Sequence, residues 1–77
     1  MDDAQIHDMI NQLVAEERDL RQIPDHSAEQ LTRMRQLEES LDQCWDLLRQ
    51  REALRNVGSD PDAAQARPVS EVEGYLQ

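Results

Sequence analysis

The sequence contains few of the residues from which common functional sites are built. It has one cysteine, two histidines, two glycines and no lysine. A single cysteine excludes a disulfide within the chain, and with two histidines it falls short of a structural zinc site. A glycine-rich phosphate loop, a nucleophile elbow, a histidine-based triad and a zinc signature are absent too. The sequence therefore implies no particular reaction, and no cofactor is expected.

The charge is one-sided, with 17 acidic residues against 8 basic ones and a formal net charge of −9. All the basic residues are arginines, and they alternate with acids. Because nucleic acids and anionic membranes attract basic patches, we expect neither as a partner. No apolar run approaches the roughly 20 residues of a transmembrane helix. The acidic start at Met1 is unlike a signal peptide, so a cytoplasmic location is expected.

The apolar pattern predicts an all-α fold. Apolar residues recur at spacings of three and four over about residues 3–22, and Pro24 ends this first helix. After a loop over about residues 23–27, a second helix is predicted over about residues 28–57. So short a connection folds the two helices into an antiparallel hairpin, which makes 1–58 one unit.

Local signals mark the ends of the second helix. Ser27 and Gln30 form a capping-box pattern at its start. Gly58 permits the left-handed conformation that ends a helix. This helix is the longer one, so residues 51–57 are expected to overhang. Residues 59–77 are predicted to form a partly ordered C-terminal arm docked on the overhang, and the alternative is a disordered acidic tail.

The second helix carries more apolar surface than one partner helix covers. In a chain of 77 residues a single core contributes only roughly 3–5 kcal/mol, which favours association with another chain. At about 100° per residue, three apolar residues point roughly 120° away from the main stripe: Leu47, Leu54 and Val57. We expect a homodimeric four-helix bundle. Its predicted interface consists of Leu37, Leu41, Cys44, Trp45, Leu48 and Leu54.

Two charged groups suggest further roles. Glu17 falls at the centre of the apolar face of the first helix, where we hypothesise a partly buried ion pair with Arg33 or Arg35 that fixes the helix register. An acidic stripe is predicted at i, i+4 spacing, and it is either a solvated face or a site for a basic partner. The stripe consists of Glu38, Asp42 and Asp46.

Three residues offer the only hints of chemistry, and each is better explained structurally. Cys44 lies near acids on a helix, which do not activate a thiolate, and the apolar stripe around it is typical of a core position. His7 and His26 each lie near carboxylates, but neither pattern assembles three or four metal ligands. A metal- or thiol-dependent enzyme is therefore the less favoured alternative.

Two segments, LDQCWDLLRQR at residues 41–51 and RPVSEVEGYLQ at residues 67–77, resemble a family of short actinobacterial proteins, the domain of unknown function numbered twenty-six thirty. The opening residues 1–21 are similar to the start of that family as well. The resemblance implies a small helical bacterial protein whose arm belongs to the module.

The sequence thus predicts a non-catalytic helical module that self-associates through apolar helix faces. The alternative is an obligate subunit or adaptor that binds a larger protein, including a basic one.

Overall fold

The fold is an antiparallel hairpin of two helices, in which the second helix is the longer. The computed structural model describes residues 1–24, 27–68 and 72. Helix α1 spans Asp3–Gln22 and helix α2 spans Ala28–Asn56, and a short 3₁₀ helix follows at Pro61–Ala63. Helix α1 packs along α2, the 3₁₀ helix packs on α2, and no strand occurs in these ranges. The predicted all-α hairpin is confirmed. Neither helix in the described ranges is long and apolar enough to cross a membrane.

Polar groups close both ends of α1. Asp2 and Gln5 form a capping box, in which the Gln5 amide donates to Asp2 Oδ1 at 2.8 Å and the Asp2 amide donates to Gln5 Oε1 at 2.9 Å. At the other end, the side chain of Gln30 donates through Nε2 to the carbonyl of Leu20 at 2.6 Å. Gln30 therefore joins the first turn of α2 to the last turn of α1.

The Gln30 contact corrects the predicted capping box of α2. Ser27 does cap the helix, because its Oγ accepts from the Gln30 amide at 3.2 Å. The Gln30 side chain, however, reaches across the turn to α1, where free carbonyls at the helix end compete for the same donor.

Helix α2 ends in a Schellman motif. The amide of Ser59 donates to the Leu54 carbonyl at 2.8 Å, and the amide of Gly58 donates to the Arg55 carbonyl at 3.1 Å. Gly58 has φ +75, a conformation that favours glycine because it has no Cβ.

The core lies between the helices and is built on a seven-residue repeat of α2. Ile6 and Ile10 from α1 pack with Cys44, and four partly buried leucines surround them: Leu13, Leu41, Leu47 and Leu48. Along α2, buried or partly buried side chains recur at every seventh position: Gln30, Leu37, Cys44 and Arg51. This row, the α1 face of α2, has an apolar middle and a polar residue at each end.

Candidate interaction surface

The polar residue at the C-terminal end of the α1 face, Arg51, ties three segments together. Its Nε donates to Asp3 Oδ1 at 2.5 Å, and its Nη1 donates to the Met1 carbonyl at 2.6 Å and to Asp62 Oδ1 at 2.9 Å. Arg55 Nη1 lies 3.1 Å from Asp3 as well. Hydrogen bonds from Arg51 and then Arg55 lower the pKa of Asp3, and the bond to Asp3 raises the pKa of Arg51.

These contacts correct the predicted overhang. Arg51 is only 7% exposed, and Arg55 also reaches α1. Two residues precede α1, and arginine side chains are long, so together they extend the hairpin contact beyond the point where α1 begins.

A second face of α2, which we call the arm face, is defined by Gln43, Asp46 and Gln50 and carries the C-terminal arm. Arg67 donates to Asp46 through two nitrogens, with Nε 2.9 Å from Oδ2. Gln50 Nε2 donates to Asp46 Oδ2 at 2.9 Å and to the Gln65 carbonyl at 2.8 Å. Gln43 Nε2 donates to the Arg67 carbonyl at 3.1 Å. The arm is therefore docked on α2 over the described residues 59–68.

Asp46 is the centre of this docking contact. Its side chain is 1% exposed, and burial alone raises the pKa of a carboxyl group. The hydrogen bonds from Arg67 outweigh burial and lower the pKa of Asp46. The arm also brings Val72 into the molecule, where it is fully buried.

A third face of α2 is covered by α1 along one edge only, and we call it the open face. Its residues alternate at spacings of three and four: Leu31, Met34, Glu38, Leu41, Trp45 and Leu48. Leu31 is 57% exposed and Trp45 is 45% exposed, although both are large and apolar. Met34, Leu41 and Leu48 are half-buried at the edge of the hairpin.

Trp45 stands beside the N-terminal half of α1. Its ring meets the His7 ring edge to face, with centroids 6.3 Å apart and planes at 79°. A shallow groove of about 270 Å³ runs past this pair. The groove is lined by Asp3, His7, Trp45, Leu48, Arg49, Glu52 and Arg55. The groove is open to solvent, and its lining combines the apolar side chains of Trp45 and Leu48 with charged ones.

The structure divides the predicted interface among these faces. Leu37 and Cys44, which are 0% and 6% exposed, lie inside the hairpin against α1. Trp45 lies on the open face with the half-buried Leu41 and Leu48. Leu54 lies about 180° from Trp45 around α2. The six residues therefore do not form one surface within a single chain.

The hypothesised ion pair of Glu17 has a different partner. Glu17 Oε1 lies 2.6 Å from Arg21 on the same helix. Arg33 instead pairs with Glu16 at 2.5 Å, and Arg35 is exposed. Because Arg21 is one turn away, its guanidinium reaches Glu17 more easily than a group on α2 does.

The acidic stripe is broken at Asp46. Glu38 is exposed and lies 3.9 Å from Arg21, and Asp42 is half-buried. Asp46, in contrast, is covered by Arg67. Two of the three predicted acids therefore remain accessible on or beside the open face.

Cys44 has the environment of a core residue. Burial raises the pKa of its thiol, and its Sγ donates to the Met9 sulfur at 3.5 Å. Within the described ranges, no three side chains of His, Cys, Asp or Glu are grouped as a metal site would require. His7 contacts Trp45, and His26 lies outside the described residues.

Sequence reasoning missed Arg51 and Arg67 as structural residues. Arg67 lies next to Pro68 in a segment without periodicity, and nothing local connects it to Asp46. For Arg51 a signal was present, because it continues the seven-residue spacing of Leu37 and Cys44.

The family comparison covers nearly the whole chain. Residues 2–77 match the model of the family described as "Protein of unknown function (DUF2630)". "Uncharacterized protein Mb0922c" of Mycobacterium bovis is 51% identical over 70 residues, which cover 86% of this chain and 80% of the relative. "Uncharacterized protein Rv0898c" of Mycobacterium tuberculosis gives the same values. No solved structure matches. The resemblance found in the sequence is confirmed, and the chain belongs to the DUF2630 family.

Proposed function

We propose that this protein is a non-catalytic helical module that self-associates through the open face, forming a homodimeric four-helix bundle in the cytoplasm. The observation that carries the proposal is the exposure of Trp45 and Leu31 on one face of α2. The other two faces are occupied by α1 and by the arm. The open face is therefore covered along one edge only, where Leu41 and Leu48 pack against the core, and beyond that edge Leu31 and Trp45 stay exposed.

The apolar area exposed on the open face is large for so small a chain. A tryptophan buries about 150–250 Å² when fully enclosed, and nearly half of Trp45 is still accessible. At about 25 cal/mol per Å², covering the remainder contributes about 2 kcal/mol from each copy. In a two-fold dimer both copies of Trp45 are covered, so this free energy is gained twice.

Two observations favour this role over the alternatives. The raised pKa of Cys44 is the opposite of what a nucleophilic thiol requires. Arg67 covers Asp46, so only Glu38 and Asp42 of the predicted acidic stripe remain accessible to a basic partner. Binding to a larger protein stays as the alternative, and it predicts a monomer that does not dimerise when purified.

Sedimentation equilibrium across a concentration series tests the proposal. We expect a dimer, and we expect Trp45→Ala to weaken it by roughly several hundredfold, since two contributions of about 2 kcal/mol are lost. Val57→Ala is the matched control, because Val57 is 75% exposed but lies about 120° from Trp45 around α2. A wild-type monomer at all concentrations, or equal weakening by both variants, contradicts the proposal.

A further inference from the structure

We propose that the two copies pair their α2 helices antiparallel, about a two-fold axis that passes near Glu39. This inference rests on the proposed self-association and specifies its geometry. It follows from the order of apolar and charged residues along the open face.

The open face has the spacing of a coiled-coil seam. The seam has two alternating positions: one is occupied by Leu31, Glu38 and Trp45, the other by Met34, Leu41 and Leu48. In an antiparallel pair, residues at the first position of one helix face residues at the second position of the other helix. With the axis near Glu39, Leu31 faces Leu48 of the second copy, and Met34 faces Trp45 of the second copy. The most exposed apolar residues at each end are thereby covered.

The charges beside the seam are complementary in this arrangement. Arg35 and Asp42 lie on the same flank, about 60–80° around α2 from Trp45. Neither forms an ion pair within the described part of the chain. Antiparallel helices bring equivalent flanks together, so Arg35 meets Asp42 of the second copy. Two-fold symmetry repeats the pair.

A parallel arrangement has no such complementarity. In register, it sets Glu38 directly against Glu38 of the second copy, and Glu52 against its equivalent, at seam positions. It also turns the flank with Arg35 towards the flank with Leu37, which α1 already covers. In the antiparallel pair, Glu38 faces Leu41, and Arg21 at 3.9 Å offsets part of its charge.

A charge-swap series measured by sedimentation equilibrium tests the orientation. We expect Arg35→Asp and Asp42→Arg each to raise the dimer dissociation constant about tenfold, since two ion pairs become two repulsive contacts. The double variant should return to within about threefold of the wild type. Asp19→Arg is the matched control: it changes the net charge as Asp42→Arg does, but it lies on the far side of α1 and should not weaken the dimer.

The outcomes separate this inference from the proposed function. If net charge alone governed association, Asp42→Arg would strengthen the dimer of this acidic chain. A tighter dimer of Asp42→Arg would therefore contradict the antiparallel seam. A dimer that Trp45→Ala weakens, but whose double variant is no tighter than the single ones, overturns the orientation only. A wild-type monomer overturns both.

Discussion

Asp46 is the buried acceptor in the contact between α2 and the arm. It accepts hydrogen bonds from Arg67 and Gln50 and is removed from solvent. A carboxylate so buried is stable in its charged form only while these donors are present. Docking of the arm therefore favours the ionised form of Asp46.

The lowered pKa of Asp46 predicts a loss of stability in acid. Its contribution is fully present above the ordinary carboxyl pKa of about 4 and is lost as the pH falls through the lower folded value. We expect Asp46→Asn to lower the free energy of unfolding by about 1–2 kcal/mol at neutral pH, because charge-assisted hydrogen bonds are weakened. The difference from the wild type should shrink between about pH 5 and about pH 3.

Denaturant unfolding at a fixed protein concentration checks this prediction. Asp19→Asn, which replaces an exposed acid on α1, is the control. Its free energy of unfolding should stay close to that of the wild type. A gap between Asp46→Asn and the wild type that is unchanged in acid would show that ionisation of Asp46 does not hold the arm.

Asp46 also shows where prediction from the sequence ends at this scale. The i, i+4 spacing correctly relates Asp46 to Asp42 on one helix, but it says nothing of a group far along the chain. Arg67 has no helical periodicity that would aim it at Asp46. The same limit explains Glu17, whose partner on its own helix competed with the predicted ones on α2.

At the scale of elements, the helix ends followed from short-range signals. Three residues mark these ends, and each acts on the backbone next to it: Pro24, Ser27 and Gly58. Their effect can therefore be predicted from a few neighbouring residues. Gln30 was assigned to its own helix because a capping box is local. Its contact with the Leu20 carbonyl depends on how the turn closes, which the local pattern does not encode.

Gly58→Ala tests the end of α2. No atom lies within 4 Å of the place where a Cβ would stand, so the cost is that of the positive φ alone. We expect a loss of about 1 kcal/mol in the free energy of unfolding. Ser59→Ala, at the next position, keeps the same backbone hydrogen bonds and should change the stability little. Equal effects of the two variants in denaturant titrations would contradict this account.

At the scale of the whole molecule, the sequence predicted a hairpin with surplus apolar surface, and it correctly indicated that one partner helix covers only part of it. The sequence did not show which apolar residues of α2 pack against α1 and which stay exposed. Leu37 and Trp45 lie about 80° apart around α2, close enough to be read as one stripe. Packing of α1 covers one edge and leaves the other exposed, and only the position of α1 decides which.

The most direct test of self-association uses Trp45 as its own probe, since it is the only tryptophan. If two copies cover the open face, Trp45 emission moves to longer wavelength on dilution, with a midpoint equal to the dissociation constant from sedimentation. Because each copy carries a net charge of −9, added salt should screen the repulsion and move this midpoint to lower concentration. An emission maximum that is independent of concentration, in low and in high salt, would contradict the account.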